Sequence, residues 1–178
     1  MTVHSGYEAS VQDLRLGDHV CWSYGSDDER DAVLQSYYAL GLETNEQLFY
    51  FGDCGSGTRV LNALRRSGLD PDGLIADGRL VVGDARDAYL GGDAFDPASC
   101  IEGFRVVAHR AVAAGFTGAR VAAENAQFLT HPSIKDAWYD YELGVEALTA
   151  GEPILGCAAS IAANALPKRS PCSTPFTV

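Results

Sequence analysis

Gly17-Asp18-His19-Val20-Cys21-Trp22-Ser23-Tyr24 reads as a short strand, and Gly25-Ser26-Asp27-Asp28-Glu29-Arg30 turns it straight into a helix. Side chains alternate between faces along a strand, so His19 and Cys21 project to the same side. A strand-to-helix turn is where open α/β sheets place their ligands. An imidazole and a thiol on one face suit metal binding, nucleophilic chemistry or the lining of a small-molecule pocket. Plain burial is the alternative to all three, since free cysteine is among the most buried residue types.

The same alternation continues outward from this stretch. Glu29 to Leu42 is helical in period, with Ala32, Val33, Leu34, Tyr37, Tyr38 and Leu40 on a broad apolar face and Asp27 or Asp28 suited to cap it. Gln47-Leu48-Phe49-Tyr50-Phe51 is nearly continuous in apolar character, as in a strand covered on both faces. Gly52 to Thr58 is a loop, and Thr58 to Ser67 a short helix with Val60, Leu61 and Leu64 inward. Leu80 to Asp84 is a third strand. Asp96-Pro97 opens a helix that stops at Gly115, with Pro97 in its first turn. Its inward face should carry Ile101, Phe104, Val107, Ala108, Ala111 and Val112. Ala119 to Ala123 is a fourth strand, Ile134 to Thr149 a helix, and Pro153 to Ala158 a fifth strand.

Strands alternating with helices imply parallel βα units with right-handed crossovers. The predicted fold is therefore α/β, a three-layer sandwich around a mostly parallel sheet of about five or more strands. The 178 residues suit one domain. Residues 1–12 read as an N-terminal extension and 13–161 as the domain. Residues 162–178, with Pro167, Ser170, Pro171, Ser173 and Pro175, read as an irregular tail without apolar period.

Charge excludes one class of partner. The formal net charge is −11, and lysine occurs only at Lys135 and Lys168, so no basic stripe exists for a nucleic-acid backbone. No apolar run is long enough to cross a membrane, and Met1 to Tyr7 lacks the pattern of a secretory signal. The expected location is the cytoplasm, where the five cysteines stay reduced. They contain no CxxC pair and no zinc-ribbon pattern.

Nucleotide chemistry finds little support. The Walker pattern is absent, and Gly52-Asp53-Cys54-Gly55-Ser56-Gly57-Thr58 has no lysine before Thr58 and an acidic Asp53. Asp27, Asp28 and Glu29 at the first turn would repel phosphate. A serine hydrolase is excluded by the lack of GxSxG. Cys21 beside His19 leaves a thiol nucleophile open. A metal remains open too, since His19, Cys21, Glu124 and Cys157 lie in or at the ends of predicted parallel strands and are expected to converge. The aromatic set of Trp22, Tyr24, Phe51, Tyr89, Phe128, Trp138, Tyr139 and Tyr141 leaves a third route, an apolar pocket with a few polar anchors.

Gly-Asp-His-Val-Cys at 17–21, followed by an acidic stretch with Arg30, resembles the opening of the MEDS family. That family is the sensory domain of methanogen and methylotroph regulators, including the dichloromethane-responsive repressor. Phe49-Tyr50-Phe51, Asp84 to Leu90, Phe95-Asp96-Pro97, Glu124, Tyr141-Glu142 and Cys157 are similar to it as well. The resemblance spans roughly residues 13 to 158. It departs at Phe128, where the family often has tryptophan, and after the last strand, where Ala158-Ala159-Ser160-Ile161 replaces a polar, Arg-rich ending.

The resemblance implies a fold related to RecA/KaiC-like ATPases without a functional phosphate loop. It implies a role in sensing small hydrocarbon derivatives, in signal transduction and transcription regulation. His19, Cys21, Arg30, Tyr89, Glu124, Tyr141 and Cys157 then become ligand-site candidates, with Trp22, Tyr24 and Phe128 as walls. The expected protein is a stand-alone cytosolic sensor of a small organic ligand. Its output would pass to a separate signalling protein, and a homo-oligomer stays open. The alternative is a small enzyme or metalloprotein using His19 and Cys21, with the cofactor unnamed by the sequence.

Overall fold

Strand pairing follows the apolar runs. The computed structural model describes residues 11–53, 55–90, 95–124 and 132–161. Five strands, β1 His19–Tyr24, β2 Gln47–Gly52, β3 Leu80–Asp84, β4 Ala119–Glu124 and β5 Ile154–Ile161, form one all-parallel sheet. Their order is β1-β5-β4-β2-β3, so β1 is an edge among the described residues. In register, His19 pairs with Gly156, Cys21 with Ala158, and Glu124 with Ala159.

A parallel sheet must be covered on both faces, because its crossovers run over them. Helices α1 Asp27–Glu43, α2 Ser56–Arg66 and α3 Pro71–Ala76 cover one face. Helices α4 Ala85–Leu90, α5 Pro97–Ala113 and α6 Pro132–Thr149 cover the other. β4 shows the alternation that makes this possible. Val121 and Ala123 join the core beneath α5 and α6, while Ala122 joins the core beneath α1 and α2. The α/β three-layer reading therefore holds.

Local signals explain the helix ends. Ser26, not Asp27 or Asp28, caps α1: its hydroxyl accepts from the Glu29 N–H at 3.2 Å. The Glu29 carboxylate accepts from the Gly25 N–H at 2.8 Å, close to a capping box. Asp96 caps α5 by accepting from the Ala98 N–H at 3.1 Å, with Pro97 at its start. The inward face of α5 differs from the periodic reading at one position. Val112 is 47% exposed, and Cys100 is buried instead. The short helices α3 and α4 have six residues each, too few for a periodic signal to mark them.

A buried ion pair joins β4 to the turn between α1 and β2, and its arginine packs against α1. Arg120 Nε donates to Glu46 Oε2 at 2.5 Å, and the guanidinium lies 4.8 Å from the Tyr37 ring centroid. Gly41 permits that approach, since a Cβ there would lie 2.8 Å from Arg120 Cδ. No helix among the described residues is long and apolar enough to cross a membrane.

Candidate functional site

β1 and α6 build a compact polar cluster on the α5/α6 side of the sheet. His19 Nε2 lies 3.3 Å from Glu142 Oε2. The Cys21 thiol donates to the same oxygen at 3.6 Å. All three potential ligand atoms lie within 4.8 Å of one another. The strand's period of two places His19 and Cys21 side by side, as the sequence predicts. Glu142 reaches them from α6, and the indole N–H of Trp138, one turn earlier, also donates to it. Gly156 on the neighbouring strand leaves room for the imidazole, since a Cβ there would meet His19 Cδ2 at 3.3 Å.

Burial governs the charge state of all three groups. It lowers the His19 pKa from its ordinary 6.5, although Glu146 opposes this. It raises that of Glu142. Burial first, then the Glu142 carboxylate, pushes the Cys21 thiol up to about 12. Loss of water disfavours whichever form is charged. Cys21 is consequently a thiol at neutral pH, which is the opposite of an activated nucleophile.

The cluster faces a cavity of about 30 Å³ between the sheet and α6. Val121, Ala123, Val145 and Leu148 line it with apolar surface, and Tyr89, Phe104 and Tyr141 supply aromatic walls. Tyr89 and Tyr141 meet edge to face at a centroid distance of 5.7 Å and hydrogen-bond to one another. Trp138 extends the aromatic group, with ring centroids 4.9 Å from Tyr141 and 5.6 Å from Phe95.

A second polar cluster sits on the opposite face. Arg30 is fully buried. It bonds Asp31 Oδ1 at 2.6 Å, Asp27 Oδ1 at 3.1 Å and Glu124 Oε1 at 3.3 Å. The Tyr50 hydroxyl donates to Glu124 at 2.6 Å. This cluster lies where β2 and β4 are neighbours but their following helices leave to opposite faces, the switch point of the sheet. The crevice is filled by paired side chains. Tyr24 packs here too, its ring centroid 5.9 Å from the Arg30 guanidinium carbon. Trp22 joins it at 5.3 Å between centroids.

The structure thus divides the residues expected to form one site. His19, Tyr89 and Tyr141 come together at the cavity, with Cys21 beside it on the Glu142 carboxylate. Trp22, Tyr24, Arg30 and Glu124 belong to the other face. Cys157 packs with Leu155 in the α1/α2 core, though it also borders the cavity. Glu124 does not converge on His19 and Cys21, because it lies on the other side of its strand's alternation and pairs with Arg30 and Tyr50. Cys157, by contrast, reaches the edge of the region from the neighbouring strand. Phe128 lies outside the described residues. Tyr139 is 70% exposed and forms no wall.

Sequence reasoning passed over Glu142 as a site residue. Its signal is a carboxylate within the stripe Trp138, Val145 and Leu148, whose other members are buried.

A family model described as MEDS, for methanogen/methylotroph, DcmR sensory domain, matches residues 18–159. The chain belongs to the MEDS family. The match opens at Asp18, beside His19 and Cys21, and closes at Ala159 in β5, so both faces of this MEDS sheet fall within it. No curated protein matches the chain.

Proposed function

We propose that this MEDS domain senses a small, weakly polar organic molecule held in the cavity between β1, β5 and α6. The observation that carries the reading is the placement of His19 and Glu142, with Cys21 bonded to the same carboxylate, at a cavity walled mostly by apolar and aromatic side chains. Such sites bind by apolar contact and orient by a few polar groups. The volume of about 30 Å³ suits a molecule of only a few heavy atoms and excludes a nucleotide. The family's sensory role supports the same reading. The protein in this reading works in the cytoplasm and passes its signal to a separate signalling protein that acts on transcription.

Thermal-shift screening with small alcohols, halocarbons, amines and carboxylates tests it. A ligand at a hundred times its Kd adds about 2.7 kcal/mol, or roughly 5–10 °C in Tm for a chain of this size. The shift should vanish in His19→Ala. A panel that leaves the wild-type Tm unmoved, or a shift retained in His19→Ala, defeats the proposal.

A further inference from the structure

The His19, Cys21 and Glu142 cluster offers one imidazole nitrogen, one sulfur and one carboxylate oxygen, the donor types that zinc takes. We propose that these three residues bind a divalent zinc-class ion, leaving a fourth position open toward the cavity. The ion site stands on its own geometry. Only the role of the fourth position, as the point where a ligand's lone pair attaches, rests on the sensory reading above.

Distances carry the argument. Zinc–sulfur, zinc–nitrogen and zinc–oxygen bonds of ordinary length at tetrahedral angles place the nitrogen about 3.3 Å from the oxygen, and the sulfur about 3.5 Å from it. The structure has His19 Nε2 at 3.3 Å and Cys21 Sγ at 3.6 Å from the same Glu142 oxygen. The remaining edge, His19 to Cys21, lies within 4.8 Å. The donors also sit on rigid elements. His19 and Cys21 share β1, and Glu142 lies in the middle of α6.

An outer contact supports the first three. The Trp138 indole N–H donates to the Glu142 carboxylate. Partners of this kind orient metal ligands. Binding forms a zinc–sulfur bond and breaks the Cys21 S–H bond, the proton leaving to solvent with no change of oxidation state. Three protein ligands and one open position is the arrangement of zinc sites that bind an exchangeable molecule, whereas structural sites close all four.

The test uses the full chain, stripped with chelator and titrated with cobalt(II) alone, then with zinc(II) alone. Cobalt(II) bound by a thiolate absorbs in the near ultraviolet by charge transfer, and tetrahedral ligation adds visible bands. One equivalent should develop both, and zinc should bleach them. Cys21→Ser should lose the charge-transfer band and bind zinc at least a hundredfold more weakly. His19→Ala and Glu142→Gln should each weaken zinc at least tenfold. Cys54→Ser/Cys172→Ser should keep the band.

A wild-type chain without the band, or a band that survives Cys21→Ser, overturns the ion site. Should Cys21→Ser fail to fold, X-ray absorption of the zinc-loaded wild type decides: one sulfur among nitrogen and oxygen neighbours is expected, and none or two would overturn it. Repeating the organic-ligand screen with and without zinc separates the two proposals. A cobalt band with no organic response removes the sensory pocket and keeps the ion. An organic response with no cobalt band does the reverse.

Discussion

Cys21 illustrates how burial decides chemistry at the level of a single side chain. With the thiol pushed up to about 12 from 9.0, its thiolate fraction at neutral pH falls roughly a thousandfold. Cys100 and Cys157 are also raised, to about 11 and about 12, with burial as the first cause. Alkylation of the metal-free native protein, mapped by peptide mass, should therefore leave Cys21, Cys100 and Cys157 unmodified long after a small free thiol has reacted. Rapid labelling of Cys21 would return the nucleophile reading to contention.

Glu142 makes a second residue-scale prediction. Its raised pKa means that the folded state disfavours the carboxylate, a cost present above the folded value and absent below the unfolded one near 4.5. His19 runs the other way. Its lowered pKa supports stability above the unfolded value of 6.5 and loses that support as pH falls through it. Glu142→Gln mimics the neutral acid and removes only the first effect. In chelator, its Tm should exceed wild type at pH 8 and converge on it only as pH falls toward about 4, below the unfolded value. A gap that stays constant across this range would show that the carboxylate is not penalised.

At the level of elements, Arg30 ties α1 to the end of β4. Its guanidinium is fully buried against Asp31 and Glu124, whose side chains are 10% and 6% exposed. Arg30→Met would leave Glu124 without its cation and Asp31 with only Arg66, whose guanidinium lies 3.1 Å from its other oxygen. Breaking a buried pair in this way costs about 3–5 kcal/mol, while replacing both partners can approach neutrality. Urea unfolding should show a loss of that size for Arg30→Met, with part recovered in Arg30→Met/Glu124→Gln. Ligand and cobalt binding at His19 and Cys21, on the opposite face, should keep their wild-type affinities. A lost cobalt band in the folded Arg30→Met protein would mean that the two faces are coupled.

For the whole molecule, one sheet carries two cores, and each core holds one of the two tryptophans. Trp138 lies in the core beneath α5 and α6, and Trp22 packs against the core beneath α1 and α2. The three inner strands β2, β4 and β5 contribute side chains to both cores, so neither core can melt without the other losing its floor. Trp22→Phe and Trp138→Phe, each reporting through the remaining indole, should give fluorescence transitions that coincide with the far-UV circular dichroism of the same variant. Separate fluorescence and dichroism midpoints would show that the faces unfold independently.

Periodicity alone was enough for the architecture. The continuous apolar run Gln47 to Phe51 predicts a doubly covered strand, and the alternation with helices predicts the parallel sheet, because both follow from backbone geometry repeated over several residues. The pairing of His19 with Cys21 was legible for the same reason, being a matter of two positions on one strand. Strand order was not legible, since β1 is joined in sequence to β2 yet lies beside β5. That order, together with the face chosen by each crossover helix, decides which distant side chains meet. It carries Glu142 to His19 and Cys21 across more than a hundred residues of chain, and it turns Glu124 away toward Arg30. Local pattern records which face a residue takes within its own element. Only the tertiary packing sets which faces look at each other.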